Sequence, residues 1–301
     1  MQNFELAQLR LPDGYTAHAR WWRPPNPRGA VLYFHGIQSH GGWYEQSAAR
    51  LADAGFTVLM PDRRGSGLNP PPRGHFETLP QCLSDTRHAL DTLLDQTGEA
   101  AAHVVGVSWG GKQAVYLAQA LPEKVKSISL VAPGLFPRLD LTGFEKIRVG
   151  LAMVHDREKQ FDIPLNVPSY FTANPDRLRY VDEDQLKLLK VTARFLITSR
   201  NLDKLIRDFH RSPYRNPIHL MLAGHEKIID NDRTRAWLAA LPSPIRRLNE
   251  FPEGHHTLEF DANPERFFHA LVGWISDLES APARDSKICE PRAASPNIQR
   301  V

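Results

Sequence analysis

The sequence predicts an α/β fold, a mostly parallel sheet with helices on both faces, and three observations predict it. Short apolar runs alternate with segments of helical periodicity along most of the 301 residues. The apolar runs are continuous, as strands buried on both faces require. At the start of the chain, residues 4–10 and 15–22 alternate loosely about the turn Pro12-Asp13-Gly14, which predicts an antiparallel hairpin at one edge.

After the hairpin, the predicted parallel strands lie at residues 30–34, 56–60, 102–105, 125–131, 218–222 and 245–251. Helical periodicity falls between and after them, at 43–54, 79–94, 109–121, 232–241 and 264–278. Crossovers joining such strands are right-handed. His103, at a strand start, reads as a structural residue.

From about Leu135 to Pro217 the alternation stops, and no clear strand appears until Ile218. The division expected is a core over 1–134 and 217–279, with a helical insertion over 135–216. Leu141, Phe144, Ile147, Leu151 and Val154 fall near helical spacing, and 185–209 carries a longer amphipathic pattern. Packing is the expected role of Leu141, Phe144 and Leu151, with contact to a lipid surface as the alternative. Lys146 and Arg148 beside them are expected to face water. Residues 280–301, rich in Ala, Pro, Arg and Ser without periodicity, are expected to be a disordered tail.

Composition narrows the function classes. The net charge of +3 is spread along the chain, and its densest cluster is Arg63-Arg64, with no basic stripe interleaved with aromatics. That argues against a nucleic-acid partner. Cys82 and Cys289 lie far apart and offer neither zinc spacing nor a disulfide framework, so both read as packing or tail residues of a reducing compartment. The first residues lack a basic stretch followed by an apolar one, and no apolar run reaches bilayer length, so cytoplasmic residence is expected.

The chemistry is concentrated at Gly106-Val107-Ser108-Trp109-Gly110-Gly111, between an apolar strand and a predicted helix. A Gly-x-Ser-x-Gly turn there holds the serine at a strained corner, where backbone crowding requires glycine on either side. A serine hydroxyl is a weak nucleophile until an imidazole accepts its proton, so a histidine and an orienting acid are needed. Two late loops supply candidates. The strand at 218–222 runs into Ala223-Gly224-His225-Glu226-Lys227-Ile228-Ile229-Asp230, and the strand ending at Phe251 runs into Pro252-Glu253-Gly254-His255-His256-Thr257-Leu258.

Taken with His35-Gly36-Ile37, Gly41-Gly42-Trp43-Tyr44 and Pro61-Asp62-Arg63-Arg64-Gly65-Ser66-Gly67, these pieces resemble the serine α/β-hydrolases of the monoacylglycerol lipase and lysophospholipase type. The resemblance runs from Phe4 to about Leu278. It implies an α/β-hydrolase fold with a mostly parallel eight-stranded sheet and a helical cap, and the chain order serine, acid, histidine. Ser108 matches the family's nucleophile. The family's usual aspartate is replaced by Glu226 before Ile228-Ile229, and Asp230 is the alternative acid, otherwise a helix N-cap. His256, before Thr257-Leu258, matches the base, leaving His255 as its loop neighbour. The backbone amides of Ile37 and Trp109 match the oxyanion donors, and His35 and Gly36 shape that loop.

The resemblance therefore implies hydrolysis of a carboxylic ester through an acyl-enzyme, with a small-molecule, lipid-like substrate and no metal or organic cofactor. The same three residues serve a small-ester carboxylesterase, an aminopeptidase-like hydrolase or an acyltransferase. The glutamate substitution is the single feature that points to a catalytically silent binding protein. The oligomeric state is not legible in the sequence.

Overall fold

An eight-stranded sheet forms the centre of the computed structural model, which describes residues 3–280. Its strands are β1 (Glu5–Arg10), β2 (Thr16–Trp22), β3 (Gly29–Phe34), β4 (Phe56–Pro61), β5 (Ala102–Val107), β6 (Val125–Val131), β9 (Ile218–Ala223) and β10 (Arg246–Phe251). Across the sheet the order is β1-β2-β4-β3-β5-β6-β9-β10. β2 runs antiparallel to both β1 and β4, and the other neighbours are parallel. Every residue of β3, β4, β5 and β9 is buried, so no polar face interrupts their apolar runs.

Helices α1 (Glu45–Asp53), α2 (Leu79–Thr97), α3 (Gly110–Ala120), α7 (Asn231–Ala239) and α8 (Glu265–Ser280) cover the sheet, with α1 against α8 and α2 against α3. Their ends follow local rules. Thr78 accepts from the Gln81 amide at the start of α2, and Gly98, at φ 71°, takes the left-handed turn that ends it.

The sheet order creates the place for a site. The chain leaves β3 for β4 on one side and returns to β5 on the other, so β3 and β5 are neighbours with diverging exits. In a parallel sheet such a switch point opens a crevice beyond the carboxyl ends of the strands. Phe34 pairs with Gly106, Val107 with Val131, Val131 with Met221, and Ala223 with Phe251. The loops after β3, β5, β9 and β10 therefore leave the sheet along one edge.

Between β6 and β9 the segment holds α4 (Gly143–His155), β7 (Gln160–Asp162), α5 (Pro175–Glu183), β8 (Lys190–Thr192) and α6 (Ala193–Ile206). The expectation of no strand here is corrected, because β7 and β8 pair antiparallel. Three-residue strands are too short to show a period. The amphipathic pattern over 185–209 is likewise broken at β8, and α6 starts only where the Thr192 hydroxyl accepts from the Phe195 amide.

The expected packing role of the α4 residues is also corrected. Phe144 is 70% exposed, Ile147 64%, Leu151 58% and Val154 74%. α4 carries apolar residues on more than one face, and α6 together with Phe161 of β7 takes the Val149 and Ala152 face. Leu141 is partly buried against that small cluster. Lys146 pairs with Asp140 on the surface, and the Arg148 guanidinium lies over the Phe144 and Phe161 rings.

Among the described residues no helix is long and apolar enough to cross a membrane. Cys82 is a buried free thiol whose pKa burial pushes up to about 12. The tail expected after residue 280, and Cys289 in it, lie outside the described residues.

His103 fills the structural role expected of it. Its Nδ1 lies 2.7 Å from Ser127 Oγ and its Nε2 3.0 Å from Glu279 Oε1, where Lys126 Nζ also donates at 2.6 Å. The His103 hydrogen bond, aided by Lys126, holds the Glu279 carboxyl down at about 2 against the opposing effect of burial. A carboxylate held low stabilises the fold above its ordinary value and loses that contribution as pH falls toward the folded-state value. Glu279→Gln is expected to cost about 1 kcal/mol at pH 7, after allowance for solvent screening of this partly exposed group. Urea titrations of both proteins should converge between pH 4.5 and 2. A gap that persists unchanged at pH 2 would refute the assignment.

Candidate active site

The turn after β5 is shaped by how closely α3 approaches the neighbouring strand. A Cβ on Gly110 would lie 2.5 Å from the Phe34 carbonyl oxygen, and one on Gly106 would lie 2.6 Å from that of Gly110. Glycine is the only residue that fits at either position. Between them Ser108 sits at φ 50°, a strained value for a residue with a side chain. Three backbone bonds lock it there: its amide donates to Val131 at 2.9 Å, and its carbonyl accepts from Gly111 at 3.0 Å and Gly134 at 2.7 Å.

Beside this turn runs the loop leaving β3. A Cβ on Gly36 would meet Ser108 Cβ at 3.3 Å, so the two segments touch. Neither the Ile37 nor the Trp109 amide donates to an acceptor among the described residues. Ile37, Ser108 and Trp109 line one cavity of about 270 Å³. Its walls are mostly apolar, with Leu139, Leu141 and Val149 on one side and Ile163, Leu165 and Leu196 from the rest of the inserted segment.

The two late loops meet as a buried pair. His256 Nδ1 lies 2.8 Å from Glu226 Oε2, while Glu226 Oε1 accepts from the amides of Ile228 at 2.7 Å and Ile229 at 3.2 Å. Burial alone would raise the Glu226 carboxyl, but the adjacent imidazole and the two amides hold it below the ordinary glutamate value. It is therefore ionised and can only accept, so Nδ1 carries the proton, and in the neutral imidazole the lone pair is on Nε2. Nε2 is buried and has no partner among the described residues. The structure thus joins Glu226 to His256 and does not hydrogen-bond His256 to Ser108. Such a bond is often long until a ligand closes the site.

The His256 loop is anchored on two sides. The Thr257 amide donates to the Phe171 carbonyl at 2.9 Å, and the Phe171 ring stands edge-on to His256 at 6.0 Å. Glu259 is buried at the start of α1, accepting from the Gln46 amide at 3.0 Å and the Ser47 amide at 3.2 Å, and also from the Ser47 hydroxyl. Burial raises its pKa to about 7. The inserted segment is tied to the β3 loop as well, since Asp184 accepts from Trp43 Nε1 at 2.7 Å and lies 3.0 Å from His40 Nε2.

The other candidates lie elsewhere. Asp230 caps α7, accepting from the Arg233 amide at 3.0 Å, and makes no contact with His256. His255 stands beside Asp261 at 3.3 Å and against the His225 ring. His35 donates from Nδ1 to the Gly36 carbonyl at 2.8 Å and accepts from the Arg63 amide on Nε2 at 2.8 Å. Both nitrogens are engaged, and burial with the nearby Arg63 lowers its pKa to about 3, so it carries no mobile proton.

Sequence reasoning missed two parts of the site. Arg63, read only as half of a basic cluster, is buried against the β3 loop, while Arg64 pairs with Asp13 and Asp85. Lys112 is buried in the cavity wall, 2.6 Å from Asp203 and 3.3 Å from Ser199 Oγ. Its signal was positional: it lies in the first turn of α3, four residues after Ser108.

Known proteins share the family and the fold of this chain. The family model for serine aminopeptidase, S33, matches residues 25–263. Phospholipase YtpA of Bacillus subtilis is 22% identical over 83% of this chain and 95% of its own length. An uncharacterised abhydrolase domain-containing protein of Dictyostelium discoideum is 24% identical over 92% of this chain, which spans only 29% of that protein. A soluble variant of monoglyceride lipase from Saccharomyces cerevisiae, solved with a substrate analog, superposes with a TM-score of 0.82 at 16% identity, covering 92% of this chain and 96% of the other. At that identity the likeness speaks for the fold.

Proposed function

The chain belongs to the serine aminopeptidase, S33, family of α/β-hydrolases, and from that premise we propose that it hydrolyses a lipid-like carboxylic ester through an acyl-enzyme on Ser108. The observation that carries this reading is the buried Glu226–His256 pair, whose free Nε2 lone pair is a ready proton acceptor. His256 takes the Ser108 proton as Oγ attacks the ester carbonyl carbon, and the carbonyl oxygen gains its negative charge facing the Ile37 and Trp109 amides. Collapse breaks the C–O bond and the departing alcohol takes the proton from His256. Water, deprotonated in turn by His256, attacks the acyl group, releases the acid and restores Ser108.

Glu226 fills the acid's role because its two amide bonds and its imidazole bond fix the longer side chain. Asp230, engaged as an N-cap, has no part in it. An aliphatic acyl chain suits the apolar cavity, and the names of the phospholipase and monoglyceride lipase relatives support an ester of that class. Residues 135–216 act as its cap. The exposed α4 stripe, Phe144, Ile147 and Leu151, then rests on a lipid surface, since the opposite face of the same helix lines the cavity through Val149. Cytoplasmic residence fits the low cysteine content.

A para-nitrophenyl ester series from acetyl to palmitoyl tests the reading. Ser108→Ala should lose turnover by at least ~10³-fold and Glu226→Gln by roughly 10²–10⁴-fold. Asp230→Asn should keep the rate while costing about 1 kcal/mol or less of stability. Wild-type preference for acetyl esters would move the substrate class to small esters, and Asp230-dependent turnover would replace Glu226 as the acid. The lipid contact is tested separately: Phe144→Ser/Ile147→Ser/Leu151→Ser should lower binding to phosphatidylcholine–phosphatidylglycerol vesicles about tenfold or more. Acetyl ester turnover should not change, and undiminished vesicle binding would remove α4 from the lipid surface.

A further inference from the structure

Arg63 is a charged residue with no charged partner. It is buried, and among the described residues no carboxylate lies within ion-pair distance of it. Arginine is almost never buried in that way unless something else fixes it. Its hydrogen bonds go to backbone instead: Nη1 donates to the Gly36 carbonyl at 2.9 Å and Nη2 to the Ile37 carbonyl at 2.7 Å, with a further bond from Nη2 to Ser66 Oγ at 2.8 Å. The guanidinium lies 4.8 Å from the Trp109 ring centroid and 5.4 Å from that of Phe195.

The first of those bonds has a particular geometry. The Gly36 carbonyl and the Ile37 N–H belong to one planar peptide unit, in which C=O and N–H point in opposite directions. Gripping the oxygen therefore aims the N–H away from Arg63. Each donor on that oxygen also polarises the peptide and strengthens its N–H as a donor, because linked hydrogen bonds reinforce one another. Two donors act there, Arg63 Nη1 and His35 Nδ1, both charged or buried and neither free to rotate away. The same guanidinium packs on Trp109, the residue that supplies the other unpartnered amide. Burial lowers the Arg63 pKa to about 10, so it stays charged at neutral pH.

We propose that Arg63 is the positioning residue of the oxyanion site, fixing and polarising the Gly36–Ile37 peptide while its planar face seats Trp109, so that both amides face the developing negative charge. The inference rests on the esterase reading above for its substrate, and on the hydrogen bonds of Arg63 for its substance. It acts through backbone groups and touches no reacting atom. Its effect is therefore confined to the transition state, where an oxyanion exists, and is absent when substrate merely binds.

Steady-state kinetics on Arg63→Lys and Arg63→Met, with a hexanoyl ester, read this directly. Arg63→Lys keeps a cation and loses the two-pronged donation that a lysine cannot reproduce. The expected result is a fall in kcat of about ten- to a hundredfold with KM within about twofold, and a larger fall for Arg63→Met. The inhibition constant of an alkyl trifluoromethyl ketone, which forms an oxyanion on the serine, should rise in step with the loss of kcat/KM. The matching alkyl methyl carbinol, which forms none, should bind unchanged.

A folded Arg63→Lys protein with unaltered kcat, or one whose loss lies wholly in KM with the ketone unaffected, overturns the inference. Should both Arg63 variants fail to fold, Ser66→Ala removes one anchor of the guanidinium and leaves a small buried side chain. It should then give a fewfold loss in kcat alone, and an unchanged kcat overturns the inference. If the wild type hydrolyses no ester, the esterase reading falls, and the rate at which an alkyl fluorophosphonate labels Ser108 decides the matter. Slower labelling of Arg63→Lys supports the inference, and equal labelling, or none in either protein, overturns it.

Discussion

The close approach of helix α3 to the end of β3 is the constraint from which the site follows. Because Gly110 leaves no room for a Cβ against the Phe34 carbonyl, the chain turns within a few residues of the sheet, and Ser108 is forced to a positive φ at the tip. That strain is held by bonds to β6 and its following loop, so it cannot relax without disturbing the central strands. The same proximity brings Gly36 against Ser108 and leaves the Ile37 and Trp109 amides unpartnered beside it. The proposed nucleophile and the proposed oxyanion donors are thus products of one packing contact. The sheet's change of direction between β3 and β5 is what makes space for it.

The electrostatics are arranged in layers around that contact. A buried carboxylate is costly unless its charge is matched, and Glu226 is matched by an imidazole and two backbone amides. The effect is to fix the tautomer of His256 before any substrate arrives. In the loop after β4, Arg63 is matched by carbonyls and no carboxylate pairs with it, so a positive charge stands beside the proposed oxyanion donors. In the proposed reaction one side of the site accepts a proton and the other holds negative charge, and both are preorganised by groups outside the cavity.

Most of the architecture was legible because strands buried on both faces leave unbroken apolar runs, and the parallel strands and covering helices fell within a few residues of their expected places. The proposed triad of Ser108, Glu226 and His256 could be named from sequence because each follows a recognisable strand and has a distinctive neighbour sequence, and the structure joins two of the three, Glu226 and His256. The inserted segment was less legible for three reasons. β7 and β8 are too short to show a period. The pattern ahead of α6 spans a strand and a helix cap, which mimic a longer helix. The apolar stripe on α4 looks in sequence like any core-facing stripe, since periodicity tells which residues share a face and not what that face meets. Arg63 was missed for a related reason: besides Ser66 Oγ its partners are main-chain carbonyls, which leave no trace in the side-chain sequence.

The central claim is a covalent one, and mass spectrometry of the protein quenched in acid during turnover tests it most directly. With a decanoyl para-nitrophenyl ester in excess, the account predicts that a fraction of the chain carries one decanoyl group, and that peptide mapping places it on Ser108. Brisk turnover with no acylated chain, in wild type and in a variant slowed at His256, or with the acyl group on another residue, would contradict it.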